Sequence, residues 1–403
     1  MDNREKRCAI VLAAGKSKRF QSEIPKFLHP LCGKKMLAHI LDQLAELDLD
    51  TIFLVVGADS SPIREALSGY PIEFVVQEKQ LGTGHAVSVV LPHLRDQRGS
   101  AFVLYADTPL ITAGRLEKLE EIRQQSNAAL ALITSRHDDP TGYGRILRDS
   151  DGMPLAVIEE KDATPLQREL QEINPGVYCF DLDRLAPALE VLNNNNAQSE
   201  YYATDTVSIL YQQGHKVVSV DAPSEEVHGI NTKTHLAIAE SILRQRIRQQ
   251  WIRTGVKILQ PESVLIDATV NLHCDVQINS GVAIFGESHL AQGCVLGPNT
   301  ILEDAILEAG VSVGANCVIR RTKIGKDSKV GPLSHIDNAA VGANVTIGDG
   351  TTTYNSDRGR ESKIYIGDDV LVGKNCKLIS PVTIQSSSTV ADGATVSADI
   401  PTG

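Results

Sequence analysis

Three cations, Lys16, Lys18 and Arg19, directly follow the turn Ala13-Ala14-Gly15, and a fourth, Lys26, comes after Pro25. The turn closes an apolar run at 8–12 that reads as a buried β-strand. Backbone N–H groups and positive charge converging at a strand end suit a polyphosphate. The spacing is not that of the ATPase phosphate loop, which sets a glycine before Lys-Ser or Lys-Thr. A second chemical position is Asp107, at the tip of the apolar run 101–105. A carboxylate there can hold Mg²⁺, a hard cation that takes oxygen ligands and bridges phosphates, although a strand-end turn or helix cap uses the same residue. The run from Gln77 through Gln80, Gly82, Thr83 and Gly84 is a glycine-rich turn between strand and helix.

These positions need a scaffold. Through about residue 230, β-rich runs at 8–12, 51–56, 72–76, 101–105, 128–134, 176–180 and 216–220 alternate with helical stretches at 35–48, 61–69, 84–94, 113–126 and 202–214. Near-continuous apolar strands separated by helices predict an α/β fold with a mainly parallel sheet, whose ligands bind at the carboxyl ends of the strands. Residues 233–254 then carry one long helical pattern, with Leu236, Ala239, Leu243, Ile247 and Trp251 on one side. Arg244, Arg246, Arg248 and Arg253 read as a solvated face of this connecting helix. After Pro261 the period becomes six. Aliphatic residues recur at Leu290, Leu296 and Leu302, at Ile324, Val330 and Ile336, at Val341 and Ile347, and from Ile366 through Val372, Leu378, Ile384 and Val390 to Val396. No helix puts every sixth residue on one face, but a three-sided β-solenoid does, with the aliphatic residue filling the corner of the core and small residues making the turns. Residues 349–363 interrupt the series and are expected to protrude as a loop.

The opening segment resembles the sugar-1-phosphate nucleotidyltransferase signature L-A-A-G-x-G-T-R-M followed by P-K. It departs at Ser17, where that family has glycine, and at Lys18, where it has threonine or serine. Further segments are similar to the uridylyltransferase half of the bacterial bifunctional N-acetylglucosamine-1-phosphate uridylyltransferase/glucosamine-1-phosphate acetyltransferases. They are Q-L-G-T-G-H-A from Gln80, Tyr105-Ala106-Asp107 (the family has glycine at 106), Gly142-Tyr143-Gly144-Arg145, Ile158-Glu159-Glu160-Lys161, Glu172-Ile173-Asn174, Glu200-Tyr201-Tyr202-Ala203-Thr204-Asp205 and Gly229-Ile230-Asn231. The resemblance implies a nucleotide site of Leu12, Ala13, Ala14, Gly15, Lys26, Gln77, Gln80, Gly82 and Thr83. It implies a sugar pocket of Tyr105, Gly144, Glu159, Asn174, Tyr202 and Thr204, and Mg²⁺ on Asp107 and Asn231. Arg19 and Lys26 are the implied catalytic cations, with Lys16 helping at the triphosphate. It further implies a Rossmann-like domain over 1–230, a helical linker over 231–260 and a left-handed parallel β-helix of hexapeptide repeats over 261–403.

In that family the β-helix motif for acetyl transfer reads approximately G-H-L-T-Y-L-G-D, with histidine as general base. Here the aligned residues are Gly331-Pro332-Leu333-Ser334-His335-Ile336-Asp337. Proline has no proton acceptor, and His335, three residues on, is displaced by about 10 Å along an extended chain, beyond hydrogen-bond reach of the same proton. An arginine-containing sugar-phosphate segment has no counterpart between Leu302 and Gly314, where the solenoid reads as shortened. Arg320 and Arg321 replace a lysine pair, Ser356 stands for a tyrosine between Asn355 and Asp357, and no basic tail follows Pro401. The expectation is uridylyl transfer from UTP to N-acetylglucosamine-1-phosphate, with acetyl transfer lost and the β-helix serving a homotrimer. Another sugar-1-phosphate, a regulatory or scaffold subunit, and acyl transfer with His335 as base stay open.

At 403 residues the chain accommodates two domains, and a net charge of −11 argues against a general nucleic-acid binder. Its seven scattered cysteines, without a C-x-x-C pair, read as reduced core residues rather than a zinc site. Neither a signal peptide nor a membrane span is expected, so a cytoplasmic protein is predicted.

Overall fold

The computed structural model describes residues 5–15, 18–94, 97–355 and 363–402. The expectations for Lys16, Ser17, Ser356 and Asp357 lie outside the described residues, as do those for the side chains of Lys18 and Asn355. The chain forms two compact units, Met1–Leu31 with Lys35–Ala239, and Cys32–Lys34 with Glu240–Gly403.

The first unit is built on a ten-stranded sheet. Its strands are β1 (Lys6–Leu12), β2 (Thr51–Gly57), β3 (Glu73–Gln77), β4 (Gly99–Tyr105), β5 (Leu130–Arg136), β6 (Gly144–Arg148), β7 (Pro154–Ile158), β8 (Glu172–Asn174), β9 (Val177–Asp181) and β10 (Val217–Asp221). They run in the order β3-β2-β1-β4-β9-β5-β8-β6-β7, with β10 beside β5. The first four are parallel, and β1 lies between β2 and β4. The chain leaves β1 toward β2 and β3 and returns on its other side as β4, which opens a crevice at the carboxyl ends of β1 and β4. β9 is antiparallel to β4 and β5, and β6, β7 and β8 pair antiparallel, so the sheet is mixed. β6, β7 and β8 had no counterpart among the expected strands, because they are short and partly solvent-facing. The helix Leu182–Glu190, which was also not expected, contains Pro187.

The second unit stacks three parallel sheets of eight, eight and seven strands. Every expected aliphatic position is buried, and Ile266, Leu272, Ile278 and Ile284 extend the six-residue period backward. The first rung, Lys257–Ile258, precedes Pro261. Between Leu302 and Ile324 the ladder continues unbroken through Leu307, Val313 and Ile319, because one side of the coil is five residues long instead of six. The aliphatic residues sit on the strands rather than in the corners. The corners hold residues with positive φ, mostly Asn and Asp, including Asn299, Asp327, Asn344 and Asp369, whose short polar side chains tolerate left-handed backbone. A strand at Thr352–Asn355 shortens the expected protruding loop. There Thr353 takes the inward position and its hydroxyl donates to the Asp337 carbonyl at 3.1 Å, so a polar residue disguised the repeat.

Two residues before many of the aliphatic positions sits a small inward residue that donates to the next coil. Thr300, Ser328 and Thr351 hydroxyls reach the carbonyls of Gly314, Gly342 and Gly373 at 2.7, 2.9 and 3.0 Å. The Cys317 and Cys376 thiols do the same to Gly331 and Ala391 at 3.2 Å. Six of the seven cysteines are buried, but Cys274 is exposed, which corrects the expectation that all belong to the core. The arginine face is corrected too. Arg244 pairs with Glu240 at 2.6 Å and Asp267 at 3.6 Å, and Arg248 donates to the Val264 carbonyl, while Arg253 is exposed.

The inward position is strict, since a one-residue slip would reverse every side chain of a strand. Leu378→Ala should therefore cost about 2–5 kcal/mol as a core cavity, while the adjacent exposed Lys377→Ala should stay within about 0.5 kcal/mol. Denaturant midpoints of the two variants check this.

Candidate active site

Two adjoining cavities of about 520 and 680 Å³ open at the carboxyl ends of the parallel strands and share Ala14, Gly15, Lys26, Phe27 and Gln80. Leu12, Ala14, Gly15, Arg19, Lys26, Gln77, Gln80, Gly82, Thr83, Tyr105, Asp107 and Asn231 line the smaller one, and Ala13 lines the larger. All the expected nucleotide, metal and catalytic residues thus converge. Phe27, Ala86 and Glu200 join them without having been expected to. Only spatial proximity marks the first two, because their side chains carry no chemistry legible in a sequence.

The arrangement follows from the strand ends. The Ala13 amide donates to the Val55 carbonyl at 2.8 Å and the Ala106 amide to the Leu12 carbonyl at 3.1 Å, tying the turns after β1 and β4 together. Gln80 reaches across to donate to the Ala14 carbonyl. A Cβ at Gly15 would meet nothing within 4 Å, so the cavity above this backbone is open to a ligand. The 80–84 turn is clamped by the 200–203 segment: Tyr201 N–H donates to the Leu81 carbonyl at 2.8 Å, Gly84 N–H to the Tyr201 carbonyl at 2.7 Å, and Ala203 N–H to Thr83 Oγ1 at 3.0 Å. Gly82 has φ +117°, and a Cβ there would lie 2.4 Å from the Tyr201 oxygen, so no other residue fits this turn. The Gln77 amide is spent on the Gly82 carbonyl and His85 Nδ1, both at 3.0 Å.

At the centre Lys26 Nζ, 6% exposed, donates to Asp107 Oδ2 at 3.1 Å and lies 3.5 Å from Asn231 Oδ1. Arg19 donates to the same Asn231 oxygen at 3.1 Å. A carboxylate and an amide carbonyl therefore face one cationic position. Among the described residues no three His, Cys, Asp or Glu side chains form a metal cage. Two oxygens with the remaining positions open suit a hard divalent cation that keeps water and phosphate ligands.

Of the expected sugar residues only Tyr105 lines this cavity; Gly144, Glu159, Asn174, Tyr202 and Thr204 form a neighbouring cluster. The Tyr105 ring lies against Gly176 and 6.3 Å from the Tyr178 ring, whose hydroxyl accepts from Asn174 Nδ2 at 2.7 Å. Gly144 pairs with Asn174 across β6 and β8. Thr204, fully buried, donates to Glu159 Oε1 at 3.0 Å, and Tyr202 donates to Asp162 Oδ2 at 3.2 Å. Thr204 is thus given to the carboxylate rather than to an open face. Burial raises the Glu159 pKa, the Thr204 hydroxyl opposes that, and the neighbouring carboxylates of Asp205, Asp162 and Glu200 add to it.

Residues 9–219 match the MobA-like NTP transferase domain family, and residues 261–357 match the GMPPB C-terminal domain family. The chain is similar along 98% of its length to curated proteins named bifunctional protein GlmU. That of Clostridium botulinum strain 657 is 36% identical, with 94% of it covered. That of Geobacillus thermodenitrificans is 39% identical with 94% covered, and that of Brevibacillus brevis 36% identical with 93% covered. With a transferase sheet whose cations and oxygens meet at its switch point, a following left-handed parallel β-helix, and this identity along almost the whole length, the chain belongs to the GlmU family of nucleotidyltransferases.

Proposed function

We propose that the first unit catalyses uridylyl transfer from UTP to N-acetylglucosamine-1-phosphate, giving UDP-N-acetylglucosamine and pyrophosphate. The observation that carries this reading is the meeting of Lys26, Arg19, Asp107 and Asn231 in one cavity with the glycine-rich 80–84 turn. A phosphate oxygen of the sugar phosphate attacks the α-phosphorus in line, a new P–O bond forms, and the bond to pyrophosphate breaks. The attacking phosphate is already ionised near neutral pH, so no general base is needed. Catalysis then rests on positioning and charge.

Lys26, already desolvated, is assigned to the phosphates around the reacting centre and Arg19 to the β- and γ-phosphates. Gln80, Gly82 and Thr83 are assigned to the base, with Gln77 at the same subsite bracing the turn through the Gly82 carbonyl, and Glu159, Asn174 and Tyr202 to the sugar's hydroxyl and amide groups. Nucleotidyltransferases of this family use a divalent metal. Mg²⁺ is assigned here to Asp107 and Asn231, where it would neutralise phosphate charge. Lys26 holds those same two oxygens, so ligand entry exchanges one positive partner for others rather than exposing bare carboxylate.

For the second unit we propose assembly, as a trimer, without glucosamine-1-phosphate acetylation. The Pro332 side chain offers no proton acceptor, Leu333 stands exposed at φ +62°, and His335 projects from the next strand. No helix among the described residues is long and apolar enough to cross a membrane.

In a pyrophosphate-release assay with UTP, Mg²⁺ and a panel of sugar-1-phosphates, the wild type should turn over N-acetylglucosamine-1-phosphate best. Asp107→Ala should lose about 10²–10³-fold in kcat, the scale of one preorganised charge stabiliser. No turnover with any sugar would leave the scaffold reading. Glu159→Gln should raise the sugar KM about tenfold, as for a lost hydrogen bond to a charged group, with the UTP KM unchanged. Ionised, the Glu159 carboxylate is the stronger acceptor from the sugar's hydroxyl and amide groups. Because burial raises its pKa, the wild-type sugar KM should climb with falling pH from above the ordinary glutamate range, and Glu159→Gln should flatten that rise. Thiol release from acetyl-CoA with glucosamine-1-phosphate should stay at background; turnover at an enzymatic rate would restore the acyltransferase.

A further inference from the structure

Behind Asn231 lies a group of aromatic and imidazole side chains that neither the nucleotide nor the sugar reading uses. Three consecutive amides lead up to the metal-facing side chain, and each has its own acceptor. Gly229 N–H donates to the Tyr143 hydroxyl at 2.9 Å, Ile230 N–H to the Asp107 carbonyl at 2.8 Å, and Asn231 N–H to His235 Nδ1 at 3.3 Å. The two side-chain acceptors are themselves held. The His137 ring packs against Tyr143 with centroids 5.3 Å apart, and the His228 ring meets His235 edge-on at 5.4 Å. Tyr143 also fills the space beside Gly229, where a Cβ would lie 3.1 Å from its hydroxyl. His235 sits in the first turn of the helix Lys233–Arg253 and Tyr143 just before β6, so two separate elements reach the same three-residue segment.

Resting on the uridylyltransferase reading above, we propose that Tyr143 and His235 are positioning residues that fix the Asn231 carbonyl opposite Asp107 and thereby set how tightly divalent metal is held with the nucleotide. The Ile230–Asp107 bond already ties the two metal-facing residues through the backbone. The flanking bonds remove the remaining freedom, which is a rotation of the 229–231 segment that would swing Asn231 Oδ1 away from Asp107 Oδ2. Neither residue touches substrate in this assignment. Each acts through a main-chain amide, as outer-shell partners of metal ligands do.

The test is the factor by which saturating Mn²⁺ tightens UTP binding, measured by calorimetry with UTP in EDTA and again in Mn²⁺. This coupling reads the metal site without turnover. Tyr143→Phe keeps the ring and removes only the acceptor, and His235→Leu removes the imidazole nitrogens. Each should cut the coupling about tenfold, at the low end of what losing an outer-shell partner costs, with UTP binding in EDTA unchanged. His235→Asn, whose amide oxygen falls near the position of Nδ1, should restore it. Asp107→Ala is the reference and should abolish it. If Asp107→Ala loses the coupling while Tyr143→Phe and His235→Leu keep it, the positioning role is overturned and the metal assignment stands. If His235→Asn fails to rescue, the acceptor role of His235 is overturned in favour of packing. If Asp107→Ala keeps the coupling, the metal assignment fails and this proposal with it.

Discussion

A buried ammonium holds the first unit's chemistry together. Lys26 comes from the turn after β1, Asp107 from the end of β4, and Asn231 from the segment before the long helix, and Lys26 Nζ touches the latter two. Removing a charge from water is unfavourable unless partners are in place. The three regions are therefore bound to one arrangement before any ligand arrives. The backbone repeats that constraint, since the Ile230 amide is bonded to the Asp107 carbonyl. Positioning of this kind is what phosphoryl-type transfer needs, because the chain contributes charge and geometry rather than covalent chemistry.

The other half of the site is organised by a different device. The 80–84 turn and the 200–203 segment are far apart in the chain, yet they share three hydrogen bonds. The same 200–204 stretch carries Thr204 to Glu159. One element thus shapes the glycine-rich turn on one side and orients the buried carboxylate on the other. A nucleotide ordered against the turn and a sugar ordered against the carboxylate would share that element. Tyr105 lines the cavity and packs beside Tyr178, which makes it the join between the two regions.

Much of this was legible in the sequence, for physical reasons. Apolar runs at 8–12 and 101–105 mark buried parallel strands, whose ends then locate the charged turn and Asp107. The six-residue period is equally plain where the inward residue is aliphatic. It fades where Thr353 substitutes a hydroxyl that bonds its neighbours instead of packing apolar surface, and where a five-residue side shifts the count before Leu307. The antiparallel strands around Gly144–Arg148 were hidden because they are short and mix charged residues, including the buried Arg145, with apolar ones, which weakens the periodicity. Tyr143 and His235 were hidden for another reason. Their part is played through main-chain amides, and no spacing of side-chain types announces that.

The two units couple fold to chemistry differently. In the solenoid, stability comes from the inward residues and from the hydroxyl and thiol bonds that link one coil to the next. The outward residues carry little of it. Substitution at outward positions such as Pro332, Leu333 and His335 can therefore leave Ser334 and Ile336, the inward residues between and beside them, buried and the coil in register. In the first unit the separation is weaker: Lys26 and Asn174 are buried within the fold that their proposed ligands complete. A β-helix can lose a reaction by surface substitution and remain an assembly domain. A transferase sheet of this design would lose packing and hydrogen bonds along with its site.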